Sequence, residues 1–551
     1  MTLNLPSLVW GLGISLSIAY VAGTFLRNQL KKAGLPPLPP GPKGLPLVGN
    51  LNDLPKPGVF EAHHWLEHKK LYGPISSVTV LGQSIIIIND ARLAFELFEK
   101  RSAKYSSRPK QVFCGELMGW EKALGFCPYN NRFRKMRKDI IRVIGSNAAA
   151  AQFSDLQMAE VGHLLLHVLR SPENLLGHIK KFVSESGSAL LLTPVFRASG
   201  TIALKIAYGY TAESHQDDVL IDMVSGAMDK FAHAAVPGAF MVDSFPFLKH
   251  FPDWVPGTTF KKTARQWAAE LLDVTEIPYA FVKHQMAQGK HETSWVSRLI
   301  EAGDSDPEVN DTNKWSAMGL FAAGEDTTVS AIACFYLAMT IYPEVQKRAQ
   351  EEIDEVVGSD RLPTLGDREN LPYVDAVVKE TLRWQTVVPM GLPHQSTEDD
   401  ICEGYFIPKG SMLFANVWHF MHDPGIHPDP STFKPERFIA RDGHEPEPDP
   451  HKFVFGFGRR ICPGRVLADR TLFLTVAQSL AVFDISKYSE NGVDVECKPE
   501  SQAGVVSHPV PYRNSIKPRS PHHEKLIKSL EDIYPWQQSD GKVLKRMARR
   551  S

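Results

Sequence analysis

The chain has 551 residues, 43% of them hydrophobic and 22% charged, and its formal net charge is −1. This balance excludes a disordered chain, and it leaves no global electrostatic footprint for nucleic acid, so no nucleic-acid partner is expected. Six cysteines lie far apart without a CxxC pair, which speaks against a disulfide framework and for buried thiols in a reducing compartment.

The amino end is different in kind from the rest. Leu5 to Leu26 carries no charged side chain. At about 1.5 Å per residue it makes roughly 33 Å of helix, enough to cross a bilayer core. Arg27, Lys31 and Lys32 follow at once, which predicts a cytosolic body behind the span. A cleaved signal peptide is the alternative, but no basic region precedes the run and no clear small-residue cleavage site ends it. Residues 1–33 are therefore expected to be a membrane anchor in contact with lipid. In Gly34 to Asn50, Pro36, Pro37, Pro39, Pro40 and Pro42 forbid helix and favour a stiff extended hinge, 34–50.

Beyond the hinge, Ser76 to Asn89 is β-rich around a glycine and reads as a hairpin. Trp315 to Pro343 reads as a long apolar helix interrupted by Glu325, Asp326, Thr327 and Thr328, groups that are costly to bury unless satisfied or used. Leu320, Gly324, Thr327, Thr328 and Ala331 share one face, small after Leu320, that would admit a flat, bulky partner; a helix crossing with a polar pocket is the alternative. Thr hydroxyls there can bond back to the carbonyl four residues earlier. Pro343 to Val357 is a second helix with Val345, Ala349, Ile353 and Val356 on one stripe.

Glu380 and Arg383 stand at i, i+3 spacing, a weak signal by itself. Short β-like segments return after Pro393, and Arg437 sits in a proline-bounded loop, able to meet a carboxylate bidentately. His419, His422 and His427 lie among aspartates and prolines that read as turns and not as a metal site. The whole predicts a mainly α fold with small β-sheets (α+β).

Phe453 to Arg465, FVFGFGRRICPGR, places one thiol, Cys462, among glycines and arginines. Arg459, Arg460 and Arg465 can supply a field favouring the thiolate, while Gly456, Gly458 and Gly464 permit tight turns and N–H groups facing the sulfur. Zinc lacks further ligands at finger spacing, and a nucleophile lacks a paired histidine in this stretch, though it stays open. A single axial ligand to haem iron needs only one sulfur.

Together these stretches resemble the cytochrome P450 family, the haem-thiolate monooxygenases, and especially its fungal microsomal members. The haem-loop pattern is met by Phe455, Gly458, Arg460, Cys462 and Gly464. The helix signature is met by Ala323, Gly324, Asp326, Thr327 and Thr328, the E-x-x-R pair by Glu380 and Arg383, and P-E-R-F by Pro435 to Phe438. The resemblance implies a single haem-thiolate domain over 51–515 with haem b held by Cys462 as the axial thiolate. Phe455 would pack near the sulfur, and Arg137, His394 and Arg460 would meet haem propionates. Asp326 and Thr327 would deliver protons to bound oxygen, and Glu380, Arg383 and Arg437 would form a buried structural triad.

One departure stands out: Phe133 replaces the tryptophan common four residues before Arg137, so an N–H donor is missing. In the basic run 132–138 the outer members would suit docking of an acidic reductase. Variable pocket segments would fall at 113–126, 232–240, 386–392 and 504–508, with Val387, Val388, Met390 and Leu392 as an apolar wall for a hydrophobic small molecule. The resemblance implies hydroxylation or a related oxidation in secondary metabolism or xenobiotic breakdown. Electrons would come from NADPH through a cytochrome P450 reductase, since no dinucleotide glycine motif follows a strand. The expected location is the endoplasmic reticulum membrane, single-pass, with the catalytic domain cytosolic. A haem-thiolate isomerase or dehydratase and a non-catalytic haem sensor are the alternatives. Residues 516–551 read as a flexible, solvated extension with a basic end.

Overall fold

The computed structural model describes residues 34–172 and 194–548, apart from positions 57, 215, 237, 304, 305, 442 and 444 and the side chains of 194–199. The expected anchor, Leu5–Leu26, lies outside the described residues. Among those described, no single helix is long and apolar enough to cross a membrane.

After α1 (Glu61–Tyr72) comes the expected hairpin, β1 (Ile75–Val80) and β2 (Gln83–Ile88), antiparallel with Ile75 opposite Ile88. Its turn places Leu81 at φ 50° and Gly82 at φ 85°, the pair of left-handed residues that a type I′ turn requires. The segment 34–50, expected as a hinge, is held against the body from Pro37 onward, where the Pro37 carbonyl accepts from Phe406 N–H at 2.8 Å. Ser77 donates to the carbonyls of Pro39 (2.6 Å, hydroxyl) and Pro40 (2.9 Å, backbone N–H), so the prolines lie along β1.

A run of helices follows: α2 (Asn131–Ile144), α3 (Ser154–Arg170), α4 (Pro194–Tyr208), α5 (Val219–Ala234), α6 (Phe260–Ala287), α7 (Pro307–Ile341), α8 (Pro343–Val356) and α9 (Pro372–Trp384). Short strands β3 (His394–Gln395), β4 (Asp400–Cys402), β5 (Tyr405–Ile407) and β6 (Met412–Ala415) come next. β6 joins β2 in parallel, completing a four-stranded sheet ordered β1-β2-β6-β3. The chain closes with α10 (Arg465–Val482), β7 (Phe483–Lys487), β8 (Asn514–Pro518), α11 (Pro521–Ile533) and α12 (Gly541–Ala548).

α7 organises the helical part. Proline at its first turn costs no hydrogen bond, and the Asp306 carboxylate accepts from Glu308 N–H. Its first half packs in one apolar core with α4, α5 and α6, and its second half in another with α3, α8, α9 and α10. It stops before Pro343, where the axis bends by 104° into α8. On α8, Val345, Ala349 and Ile353 are buried as the stripe predicts, while Val356, at the frayed end, is exposed.

The tail differs from expectation. β8 pairs antiparallel with β7, and Ile527 and Leu530 of α11 are buried in the core shared by α3 and α10. Trp536 stacks on His163 with ring centroids 4.0 Å apart, Asp540 accepts from Thr211 N–H at 2.9 Å, and Leu544 of α12 is buried. Apolar positions spaced for a helix, not its charge, decide that residues 516–548 are docked.

Candidate active site

Cys462 lies in the loop between two short helical turns and the start of α10. Its backbone N–H donates to the Phe455 carbonyl at 2.7 Å, closing the loop on itself. Gly458 must be glycine: it sits at φ 52°, and an added Cβ would lie 2.1 Å from the Phe98 carbonyl oxygen. Burial pushes the Cys462 thiol up from its ordinary value, against the N–H groups of Gly464 and Arg465 and the charges of Arg137 and Arg465. The field at the sulfur therefore comes from Arg137 and Arg465. Arg459, expected to contribute, reaches the Tyr129 hydroxyl at 3.0 Å instead. The net field does not make a free thiolate; a bound metal cation would, since a coordinating thiol is deprotonated outright.

Beside this loop, three guanidiniums gather without a carboxylate. Arg460 donates to the carbonyls of Ser106, Leu124 and Cys127 at 2.7, 3.2 and 2.6 Å. Arg108 donates to those of Gly125, Leu392 and Pro393 at 2.8, 3.0 and 2.7 Å. Arg137 of α2 donates to the Ile461 carbonyl at 2.6 Å. Burial holds all three below the usual arginine range, Arg460 at about 10, and Arg108 feels Arg460 as well. Buried cations unmatched by a carboxylate among the described residues make a site for an anion.

His394 of β3 borders the same cluster. Burial and the charges of Arg108 and Arg460 keep its ring neutral, and its Nδ1–H donates to the Tyr105 carbonyl at 2.7 Å while the ring stacks on Phe98. Phe133 has its own role here: the Arg460 guanidinium lies over its ring at 3.8 Å from the centroid, so a π face stands where the N–H donor is missing.

On α7, every residue from Trp315 to Thr340 is buried except Gly319, Ala323, Gly324, Asp326 and Thr327. An opening in the middle of a helix enclosed by two cores marks a cavity wall, and it falls at the seam between those cores. The open face is rotated from the one read in the sequence, since Leu320, Thr328 and Ala331 are buried. Gly324 partly serves a helix crossing: an added Cβ would sit 3.6 Å from the Ala203 Cβ of α4. The Thr327 hydroxyl donates to the Ala323 carbonyl at 2.8 Å, the expected back-bond. Asp326 Oδ1 lies 2.9 Å from His508 Nε2. α2 joins the two halves of the site, for it packs on α7 and its Arg137 holds the carbonyl next to Cys462.

A family model described as cytochrome P450 matches residues 39–515. The chain belongs to the cytochrome P450 family. It is similar to the cytochrome P450 monooxygenase claR of Ampulloclitocybe clavipes, 44% identical over 95% of this chain and 93% of that protein. The cytochrome P450 monooxygenase ppsD of Aspergillus oryzae is 44% identical over 93% of this chain and 94% of the relative. The O-methylsterigmatocystin oxidoreductase of Aspergillus flavus is 38% identical over 94% of each chain.

This P450 is thus a monooxygenase whose cofactor is haem, an iron porphyrin held by an axial cysteine thiolate. The residues present fit that group. Cys462 is the thiol with N–H groups turned to it, and the unmatched guanidiniums of Arg108, Arg137 and Arg460 suit the two propionates. An anion among them would also let His394 take a second proton and donate from Nε2.

Glu380, Arg383 and Arg437 are brought together as expected, and they are buried, not a surface pair. Arg383 donates to both Glu380 oxygens at 2.7 and 2.8 Å, and Arg437 Nε stands 3.4 Å from the same carboxylate. The triad has two further members, Glu447 at 3.3 Å from Arg437 and His427 at 2.5 Å from Glu447. Met390 is not part of a pocket wall; it packs with Trp65, Val78 and Ile87 against the sheet. Sequence reasoning missed Arg108, Glu447 and His508 as site groups. Arg108 and Glu447 carry no local pattern, whereas His508 stood at the end of a segment read only as pocket lining.

Proposed function

We propose that this P450 hydroxylates a hydrophobic small molecule by inserting one oxygen atom of dioxygen into a C–H bond. The observation that carries the reading is the opening at Ala323–Thr327 of a buried helix, tied through α2 to the Cys462 loop. When bound, haem supplies the redox-active iron at which dioxygen is reduced and split. Cys462 would hold the iron as its axial ligand, Phe455 would cover the sulfur, and Arg108, Arg137 and Arg460 would hold the propionates. Thr327 and Asp326 would hold and pass the protons that oxygen cleavage consumes. Val387, Val388 and Leu392 would exclude water around an apolar substrate.

Arg132 is engaged by Asp311 at 2.8 Å, so of the basic run Arg134 and Lys138 are left facing outward. They would meet the acidic face of an NADPH-cytochrome P450 reductase. Leu5–Leu26 would hold the protein in the endoplasmic reticulum membrane with its catalytic domain in the cytosol. The named fungal relatives support secondary metabolism as the setting. The test is Cys462→Ala, which should abolish the red-shifted Soret band of the reduced carbonyl complex together with substrate-dependent NADPH consumption in reductase-supplemented membranes. A variant keeping that band would refute the ligand assignment.

A further inference from the structure

Around Asp326 the fold gathers more titratable groups than a simple acid–hydroxyl pair needs. From α7 come Glu325 and Asp326, from α5 Asp229 and Lys230, and from the loop after Gly504 comes His508. Ser225 donates to Glu325 at 3.1 Å, and burial, then Asp326, push Glu325 well above the usual carboxylate range, so it is a neutral acid. Burial and the Asp326 charge push Asp229 up to about 6, while Lys230 is engaged by Glu270. Three carboxyl groups therefore crowd one corner, and the only imidazole hydrogen-bonded to them among the described residues is that of His508.

The His508 loop is clamped, not loose. Ser330 of α7 donates to the Ser507 carbonyl at 2.5 Å, and Ser507 N–H donates to the Val387 carbonyl at 2.8 Å. Gln502 N–H donates to the His508 carbonyl at 2.8 Å, and the Ser507 hydroxyl to that of Gln502 at 2.9 Å. Each of these bonds fixes the backbone next to the imidazole, which then reaches Asp326. The imidazole thereby fixes the side chain of Asp326 among the acids around it.

We propose that His508 is a positioning residue that orients the Asp326 carboxylate and relays protons through it toward Thr327. The inference rests on the monooxygenase reading above. A proton on Nε2 of the His508 imidazolium moves to Asp326 Oδ1, Asp326 turns and hands it toward Thr327, and the neutral imidazole left behind takes up a proton from water. No electron is moved and no bond other than to hydrogen changes.

The test compares full-length, haem-loaded wild type with His508→Leu and His508→Gln. The glutamine keeps an N–H near the Nε2 position but cannot titrate. Infrared difference spectra across pH read the carboxyl C=O band of Asp326, assigned by its loss in Asp326→Asn. In the leucine variant that band should persist to higher pH than in wild type. Product formed per NADPH should fall roughly tenfold in the leucine variant, peroxide release should rise, and the solvent isotope effect should grow. The glutamine variant should keep the low-pH onset of the carboxyl band yet flatten the pH dependence of coupling. An unmoved carboxyl band, or coupling and isotope effect within roughly twofold of wild type in a leucine variant with normal haem content, overturns the proposal. Failure of the monooxygenase reading is separate: it shows as a wild type without substrate-dependent NADPH consumption, and the infrared arm then decides the Asp326–His508 pairing alone.

Discussion

Replacing Glu380 by Gln removes the charge that two buried guanidiniums share. Glu380 and Arg383 have no exposed side-chain surface, and Arg437 is 2% exposed. Glu380 also accepts from Lys434 N–H at 2.7 Å, which fixes the segment leading into Arg437. After the substitution Arg383 keeps the carbonyls of Met421 and Thr432, at 2.8 and 3.3 Å, and the single amide oxygen of the new side chain, but no carboxylate. Glu447 cannot replace the lost charge, because it already serves Arg437 and His427. Removing one partner of such a pair costs about 3–5 kcal/mol, a large part of the roughly 5–15 kcal/mol that holds a domain folded. The assay is urea unfolding followed by tryptophan fluorescence, with haem retention read in parallel. Glu531→Gln is the control, since its pair with Arg170 is exposed (45% and 43%) and should cost no more than about 1 kcal/mol. A Glu380→Gln midpoint no lower than that of Glu531→Gln would refute the claim that the charge is structural.

Gly458→Ala should lose haem occupancy and the reduced-carbonyl band, because the left-handed backbone alone costs about 1–2 kcal/mol and the methyl group meets the Phe98 carbonyl. Full occupancy would show that the loop can shift. His451 carries a pH dependence of defined sign. Burial opposes its charge, but hydrogen bonds to Asp449 and Asp469 hold it up to about 9, above the unfolded value. Its contribution, at most roughly 3 kcal/mol, is complete below about pH 6.5 and is lost as pH rises through the folded value. The stability gap between wild type and His451→Gln should therefore close on going from mildly acidic to alkaline pH, and a constant gap would contradict the pairing.

Much of the fold and site was legible because short-range rules carry it. Gly82 marks a turn between two β-rich runs, and Pro343 ends one helix and begins the next by steric necessity. The Cys462 loop and the Thr327 turn are equally local. Where local rules competed with packing, packing won. The face of α7 turned because Leu320 and Ala331 found apolar partners, and Met390 left the expected wall for the sheet core. The tail docked because Ile527, Leu530 and Leu544 could be buried, although its charges suggested solvent.

By itself, the sequence determined the family motifs, the axial cysteine and the mostly helical class, since each rests on residues within a few positions of one another. Only the tertiary structure decided which groups share the site. Arg108 meets Arg460 across 352 residues and His508 meets Asp326 across 182, a convergence that no spacing encodes. Charges interact through space and are strengthened by burial, so the arginine cluster and the His508–Asp326 pair form only once distant segments have excluded water around them.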